Sequence, residues 1–269
     1  MKLPIYSLEG KKSGEIDVGL SFSNPVRTDI ITKCFLAERS LLRQPYGTDY
    51  FAGKRTSAHY HGERGTRYSM MNKEIARLRR IHGNQGYLSM TARFSPQATK
   101  GRAAHPPKPE KVWETKINKK ERILALISAL SASAEKSFIL SRGYRLPESL
   151  VAYPIVIEDK LEQVESTKEI ISLITKLGLE KELERSAEKK VRAGKGKSRG
   201  RRYKKKVGPL FVIKDDKGIL KSSRNIPGFD CVLSKNLTVS ALSPGGHPGR
   251  LTIFTESALK EIIQLVNSK

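Results

Sequence analysis

Acidic residues are what this sequence is short of. It has 27 Asp and Glu against 51 Lys and Arg in 269 residues, a formal net charge of +24. Such an imbalance repels itself in an isolated compact protein, so a polyanionic partner is expected. Nucleic acid is the first candidate, because each neutralised phosphate also releases a counterion. An anionic membrane surface is the second. Cysteine is nearly missing: the chain has Cys34 and Cys231 and no others. Cys34 stands at helical spacing with Ile30, Ile31 and Phe35, which suits a core position better than a bridge, and an intracellular, reducing compartment is expected. Long apolar runs are missing too. None approaches the ~18–20 residues of a spanning helix, and MKLPIYSLEGKKSG at the N-terminus lacks the apolar centre of a secretory signal. Hydrophobic residues make up 38% of the chain. That is enough for one core, but low for 269 residues that are globular throughout.

The glycine patterns of nucleotide-binding enzymes are absent as well. AGKGKS resembles a P-loop, but Gly196-Lys197-Ser198 would need glycine at Val191. The dinucleotide fingerprint fails on its third glycine, where Arg199 stands. No cofactor is expected, and an α/β fold alone gives no warrant for a nucleotide site. His59 and His61 alternate along one segment with no Cys or carboxylate cluster nearby. Neither a four-ligand nor a three-ligand metal set is in sight, so they are read as stacking or phosphate contacts and no metal is expected. His247 has no Ser, Cys or acid placed as a catalytic partner and is read as a turn histidine in a loop facing a polyanion.

What is present is a long basic insertion. Residues 44–111 are rich in Gly, His and aromatics, and only Asp49, Glu63, Glu74 and Glu110 oppose their cations. The segment has no sustained apolar period, and so long a structureless stretch inside a domain is normally functional or disordered. It is predicted to have no core of its own and to take its order from something outside the protein. Lys73–Arg80 is predicted as a short helical turn.

Elsewhere strands and helices alternate. Lys2–Leu8 and Glu15–Val18 are predicted strands. Asn24-Pro25 predicts a helix start, with Ile30, Ile31, Cys34, Phe35, Leu41 and Leu42 as its apolar face. Asn118 and Glu121 form a capping-box pattern before ILALISALSASA, a run apolar or small on every side and therefore buried. Ser137–Leu140, Ser149–Ile157, Pro209–Lys214, Leu237–Leu242 and Leu251–Phe254 read as strands, and Asn225–Leu233 as a turn followed by a strand. Ser166 caps a helix that Gly178 ends, a sign-alternating helix follows over 179–190, and Thr255 caps the last. The fold class expected is α/β: a single layered domain with a mostly parallel sheet flanked by helices. Residues 1–43 and 112–269 form it, and 44–111 is a long extended basic internal loop inserted in it.

The cations cluster where acids are absent, whereas the 179–190 helix mixes signs as a solvated face does. Within the loop they alternate with Tyr46, Tyr50, Phe51, Tyr60, Tyr68, Tyr87 and Phe94. Arg forks onto phosphates and stacks on bases, which is the chemistry of binding folded RNA. The predicted RNA-binding set is Arg43 at the loop entrance and, in the loop, Lys54, Arg55, His59, His61, Arg64, Arg67, Arg77, Arg79, Arg80, Arg93, Lys100 and Arg102. Outside it the set comprises Arg192, Lys195, Lys197, Arg199, Arg201, Arg202, Lys204, Lys205, Lys206, His247 and Arg250. An RNA-processing enzyme and a DNA-compacting basic protein are the alternatives; the first needs a pocket of convergent acids, a metal or a cofactor.

Several stretches together carry a resemblance. They are Arg43-Gln44-Pro45-Tyr46, Ala52-Gly53, Thr56-Ser57-Ala58, Ala76-Arg77 through Arg80 to Gly83, and SALSASA. Further on come Arg192-Ala193-Gly194-Lys195-Gly196-Lys197, Arg224-Asn225-Ile226-Pro227-Gly228, Pro244-Gly245-Gly246-His247, Gly249-Arg250 and Thr255-Glu256-Ser257-Ala258. In this order they resemble the large-subunit ribosomal protein L-four family of archaeal and eukaryotic type, and the archaeal form in particular. The resemblance implies a structural, non-enzymatic constituent of the cytoplasmic large ribosomal subunit that binds large-subunit rRNA early in assembly. It also implies a loop that helps line the polypeptide exit tunnel, with Arg64 to Gly86 as its far end. The partners implied are rRNA, neighbouring large-subunit proteins and the nascent polypeptide; no membrane and no homo-oligomer is expected.

Overall fold

The computed structural model describes residues 2–19, 22–83, 86–147, 150 and 152–267. The chain divides into two compact units, residues 1–42 with 114–269, and residues 43–113.

The first unit is an α/β layer structure. Its strands are β1 (Lys2–Tyr6), β2 (Lys12–Asp17), β3 (Ile155–Ile157), β4 (Lys189–Val191), β5 (Tyr203–Lys205), β6 (Leu210–Ile213), β7 (Asp230–Leu233) and β8 (Thr252–Thr255). Its helices are α1 (Thr28–Leu41), α2 (Lys119–Ala134), α3 (Lys136–Ser141), α4 (Thr167–Lys176), α5 (Glu180–Ala187), α6 (Ile219–Arg224), α7 (Val239–Leu242) and α8 (Glu256–Asn267). Among the described residues the main sheet runs β2-β1-β3-β8-β6-β7, antiparallel at β1–β2 and parallel elsewhere. The mostly parallel sheet flanked by helices is the fold class expected. No helix of the described residues is long and apolar enough to cross a membrane.

The central strands are apolar without alternation because both faces are covered. Ile155, Ile157, Phe211, Ile213 and Ile253 point into one core, with Ile170, Leu173 and Ile174 of α4. Val156, Leu210, Val212 and Phe254 point into the other, with Ile31 and Cys34 of α1, Ala129 and Leu130 of α2, and Leu259 and Ile262 of α8. α4 stops as its sequence requires: the Gly178 N–H donates to Thr175 O at 2.8 Å and the Leu179 N–H to Ile174 O at 3.0 Å. At the carboxyl ends of the strands the buried Glu162 accepts from the Lys214 N–H at 2.9 Å and the Thr255 hydroxyl at 3.0 Å.

Several sequence expectations need correction. α1 begins at Thr28 rather than behind Asn24-Pro25, with Arg27 at the cap position and Asp29 paired to it at 2.7 Å. Its buried face is Ile31, Cys34 and Ala37, while Leu41 and Leu42 are exposed. Asn118 does precede α2 but makes no side-chain cap bond. Glu121 is held below the usual carboxylate range first by Lys33 and also by the Asn118 backbone N–H. Burial of α2 begins at Ala125 and is complete only over Ser128–Ser133, and Leu124 is exposed. The expected strand at Ser137–Leu140 is the helix α3, set off from α2 by extended Glu135. The expected strand over 149–157 shrinks to β3, preceded by Pro154; Ser149 and Val151 lie outside the described residues. Leu237–Leu242 is not a strand. The Thr238 side chain accepts from the Ala241 N–H, and Glu38 of α1 accepts from the N–H groups of Val239 and Ser240 at 3.2 and 2.8 Å, so α7 is capped from another helix. Thr255 ends β8, its hydroxyl committed to Glu162.

Cys34 is buried and Cys231 half-buried. Burial pushes Cys34 up from 9.0 to about 11 and Cys231 up to about 12. The folded chain should therefore resist iodoacetamide at pH 8 and react at both cysteines only once denatured, read by mass spectrometry. A thiol raised in the folded state stays protonated after the unfolded chain has ionised. Stability is then full below about 9 and lost as pH climbs towards 11, and Cys34→Ala should flatten that alkaline limb in a denaturant titration.

Candidate nucleic-acid interface

Two basic segments carry the predicted site residues. The first is the 43–113 unit, which has no helix or strand among its described residues. It is held by turns and by isolated bridges pairing Arg80 with His59 and with Ala92. Lys73–Arg80 is therefore not helical. Asn72 and Glu74 sit at φ of 59° and 54°, and Arg80 is extended between two neighbours. The unit is also not coreless: Ala58, Ser69, Met70 and Ile81 are buried. Its backbones approach closely at Gly53, where a Cβ would lie 2.5 Å from Gly101 O, a contact only glycine permits.

Many of the loop's rings are covered by its own cations. The Arg43 guanidinium lies 4.2 Å and the Lys111 ammonium 4.4 Å from the Trp113 ring centre, and Tyr46 stacks on the same ring at 5.4 Å. Lys54 sits 4.1 Å over Tyr50, Arg67 4.9 Å over Tyr68 and Arg79 4.3 Å over Phe94. Arg55 lies 6.0 Å over Phe51 and pairs with Asp49. Asp49 is held below the usual carboxylate range by the Phe51 N–H first and by Arg55 next. In each pair the cation is drawn to the negative face of the ring.

Arg80 and Arg93 have inward jobs. Arg80 donates to Met90 O at 2.8 Å and Ala76 O at 2.9 Å, and Arg93 donates to Thr99 O at 3.0 Å. Arg102 and His61 are half-buried, and His59 is exposed. Arg64, Arg77 and Lys100 are exposed and carry no ion pair or ring contact among the described residues. Within Arg64–Gly86, Asn84 and Gln85 lie outside the described residues.

The second segment is a hairpin. β4 and β5 pair antiparallel, Lys189 with Lys205 and Val191 with Tyr203. The turn between them presents Lys195, Lys197, Arg199 and Arg201, all exposed, with Lys204 and Lys205 exposed on β5. Arg192 braces the hairpin by donating to Arg201 O at 3.1 Å, and Arg202 lies 5.6 Å over Tyr203. Lys206 is turned onto Glu188, which it and Lys190 hold below the usual carboxylate range.

The hairpin is anchored by a buried polar network. The Arg185 guanidinium bonds Glu182 and donates to Val207 O at 2.7 Å. Burial draws its pKa down, but the bonds to Glu182 more than offset this and leave it raised. The Tyr144 hydroxyl donates to Gly208 O at 3.2 Å, and burial pushes it up. Arg250 donates to Gly208 O at 3.0 Å and Ala241 O at 2.9 Å and pairs with Asp230. Gly228 is needed beside it: at φ 80°, a Cβ would sit 2.8 Å from Lys206 O.

Arg250 is therefore a correction. It is 2% exposed and has no free donor face for a phosphate; a basic residue in a Gly/Pro loop looks the same in sequence whether it points out or in. His247 is exposed, and its carbonyl accepts from Arg142. Sequence reasoning also passed over Trp113, Arg185 and His82. Trp113 is the chain's single Trp and was detectable as such. His82 had no spacing signal, yet its ring lies 4.6 Å from His59 and 4.4 Å from His61. Burial first, and its two histidine neighbours next, hold His61 below the usual imidazole range.

Residues 18–265 match the model of the ribosomal protein L4/L1 family. The chain is 45% identical over 267 residues to large ribosomal subunit protein uL4 of Nanoarchaeum equitans, covering 97% of each chain. It is 42% identical to the protein of that name from Sulfurisphaera tokodaii, covering 96% of this chain and 92% of the relative. Against the one from Haloarcula marismortui identity is 38%, over 98% and 100%.

The two kinds of arginine should separate experimentally. Arg250→Ala removes a buried guanidinium with its bonds to Gly208 O, Ala241 O and Asp230 and should cost at least about 3 kcal/mol in urea unfolding. Arg201→Ala should stay within about 0.5 kcal/mol of the parent, while weakening binding to folded RNA in a filter assay.

Proposed function

The chain belongs to the ribosomal protein L4/L1 family, and from that premise we propose that it binds large-subunit rRNA during assembly through its 43–113 loop and its 189–207 hairpin. It is a structural constituent of the large ribosomal subunit, working in the cytoplasmic ribosome and not as an enzyme. The far part of the loop, Arg64 to Gly86, reaches the wall of the polypeptide exit tunnel and meets the nascent chain. Neighbouring large-subunit proteins complete the set of partners.

One observation carries this reading: the excess of cations over acids falls almost wholly on two segments, with 14 Lys and Arg against 4 acids over 43–113 and 11 against none over 189–207. Arg64, Arg77 and Lys100 in the loop, and Lys195, Lys197, Arg199, Arg201, Lys204 and Lys205 on the hairpin, are free to meet phosphates. A solvated surface needs no such segregation. The loop backbone adds support. Tyr68, Asn72, Glu74, Met90, Phe94 and Lys100 all have positive φ, a left-handed geometry costing roughly 1–2 kcal/mol at each non-glycine residue. A small core of four buried residues offsets little of that, so contacts from a partner are needed to hold the shape.

Affinity of the full chain for large-subunit rRNA should fall steeply with salt. Lys204→Ala with Lys205→Ala should lower the slope of log K against log salt by about 1 per lost phosphate contact. Trypsin should cut the free chain between Arg43 and Lys111 and spare it on rRNA. A flat salt profile, or equal protection without RNA, would overturn the binding reading. For the tunnel, a photocrosslinker at Arg77 in assembled subunits should capture a stalled nascent chain; capture of rRNA alone would remove that role.

A further inference from the structure

Three imidazoles meet in the 43–113 unit. His59 and His61 come from one limb and His82 from another, joined where His59 and Arg80 bridge. Ring centres are 4.3 Å apart for His59–His61, 4.6 Å for His59–His82 and 4.4 Å for His61–His82. One ring nitrogen from each lies within 4.8 Å of the other two. The hydrogen bonds around them decide which nitrogens are available. His59 Nδ1 lies 3.1 Å from Ser57 O. A carbonyl only accepts, so Nδ1 carries the proton and Nε2 the lone pair. His82 Nε2 lies 3.2 Å from His59 O, which by the same logic leaves the lone pair on Nδ1. That Nδ1 is buried and has no hydrogen-bond partner.

A buried lone pair without a donor is costly, and each such group calls for an explanation. An imidazole whose far N–H is fixed by a backbone carbonyl, with its near nitrogen bare, is the arrangement that orients a histidine for a metal ion. Hard cations choose oxygen ligands, whereas a set made of imidazoles suits zinc and its late transition neighbours. The one cation closely tied to the cluster is turned aside: Arg80, bridged to His59 through its backbone, directs its guanidinium to Met90 O and Ala76 O. Tyr68, whose ring lies 5.1 Å from His82, covers the cluster and is itself covered by Arg67.

We propose that His59 Nε2, His82 Nδ1 and a nitrogen of His61 bind one Zn2+ ion, with water in the fourth position. Tetrahedral Zn–N bonds of about 2.0–2.1 Å set ligand nitrogens roughly 3.4 Å apart. The one nitrogen of each ring that lies within 4.8 Å of the other two would have about 1.5 Å or less to close. The ion would tie the 57–61 limb to the 80–82 limb and fix the loop's far part before any nucleic acid arrives, since metal binding adds its free energy to the folded arrangement. The proposal is independent of the rRNA reading, and its test contains no RNA.

The full chain, stripped with chelator, is titrated with Zn2+, and in parallel with Co2+ as a coloured probe. We expect one saturable site per chain, the intense visible absorption of tetrahedral Co2+, and slower tryptic cleavage between His59 and His82 once Zn2+ is added. His82→Gln and His61→Asn should each weaken binding at least about tenfold, with unchanged far-ultraviolet circular dichroism. His105→Gln, outside the cluster, should bind like the parent. Uptake no greater than that of a triple variant lacking all three histidines would overturn the proposal. So would equal affinity in His82→Gln and the parent, or a Co2+ spectrum of purely octahedral type. Should His82→Gln misfold, the comparison of His61→Asn with His105→Gln decides in its place.

Discussion

The carbonyl oxygens of Val207, Gly208 and Pro209 are the point on which the globular unit turns. Here the chain leaves the basic hairpin and enters β6, the strand between β8 and β7. Arg185, Tyr144 and Arg250 all donate into these carbonyls, and the Gly208 N–H reaches Gly228 O at 2.8 Å. Gly208 and Pro209 are buried, and buried backbone must find partners for its polar groups. It finds them in side chains from α5, from the segment after α3, and from the loop before β8. A highly charged hairpin is thereby joined to an apolar sheet with its connecting carbonyls paired.

That joint explains why the protein's cations fall into two populations. Arg185 and Arg250 are buried and act as multidentate donors, a use for which the fixed fork of guanidinium is suited. Arg80 and Arg93 do a smaller version of the same work inside the loop. The lysines and arginines at the hairpin turn make no such bonds and remain available to a partner. A third group is intermediate: Arg43, Lys54, Arg67 and Arg79 rest on aromatic faces, where they are ordered yet still within reach of solvent.

How much of this could be read in advance depends on the distance over which each feature is decided. The strands β6 and β8, the helix α4 with its Gly178 stop, and the α/β class follow from apolar runs and local caps. Ser137–Leu140 and Leu237–Leu242 misled, because three or four apolar residues fit a strand or a buried helical turn equally well. In α7 the choice is made by Glu38, far away in sequence, which bonds the helix's first N–H groups. The basic loop and hairpin were readable from charge segregation alone. The fate of single residues was not: Arg250 and Arg201 differ only in what surrounds them after folding, and His82 joins His59 and His61 only through the pairing of Arg80 with His59.

The strand order has a consequence in time. β8 lies between β3 and β6 and is the last strand in the chain. A ribosome making this protein releases the whole 43–113 loop, then β3, then β6, before the residues that pair with both exist. Until Thr252–Thr255 emerges, the first half of the sheet and the second have no strand to join them, and a β-pairing that must wait for distant chain is slow to form. The loop, by contrast, is complete early and carries its cations into a cell full of polyanions. During synthesis the cation-rich loop is complete before the sheet that flanks it in sequence can close.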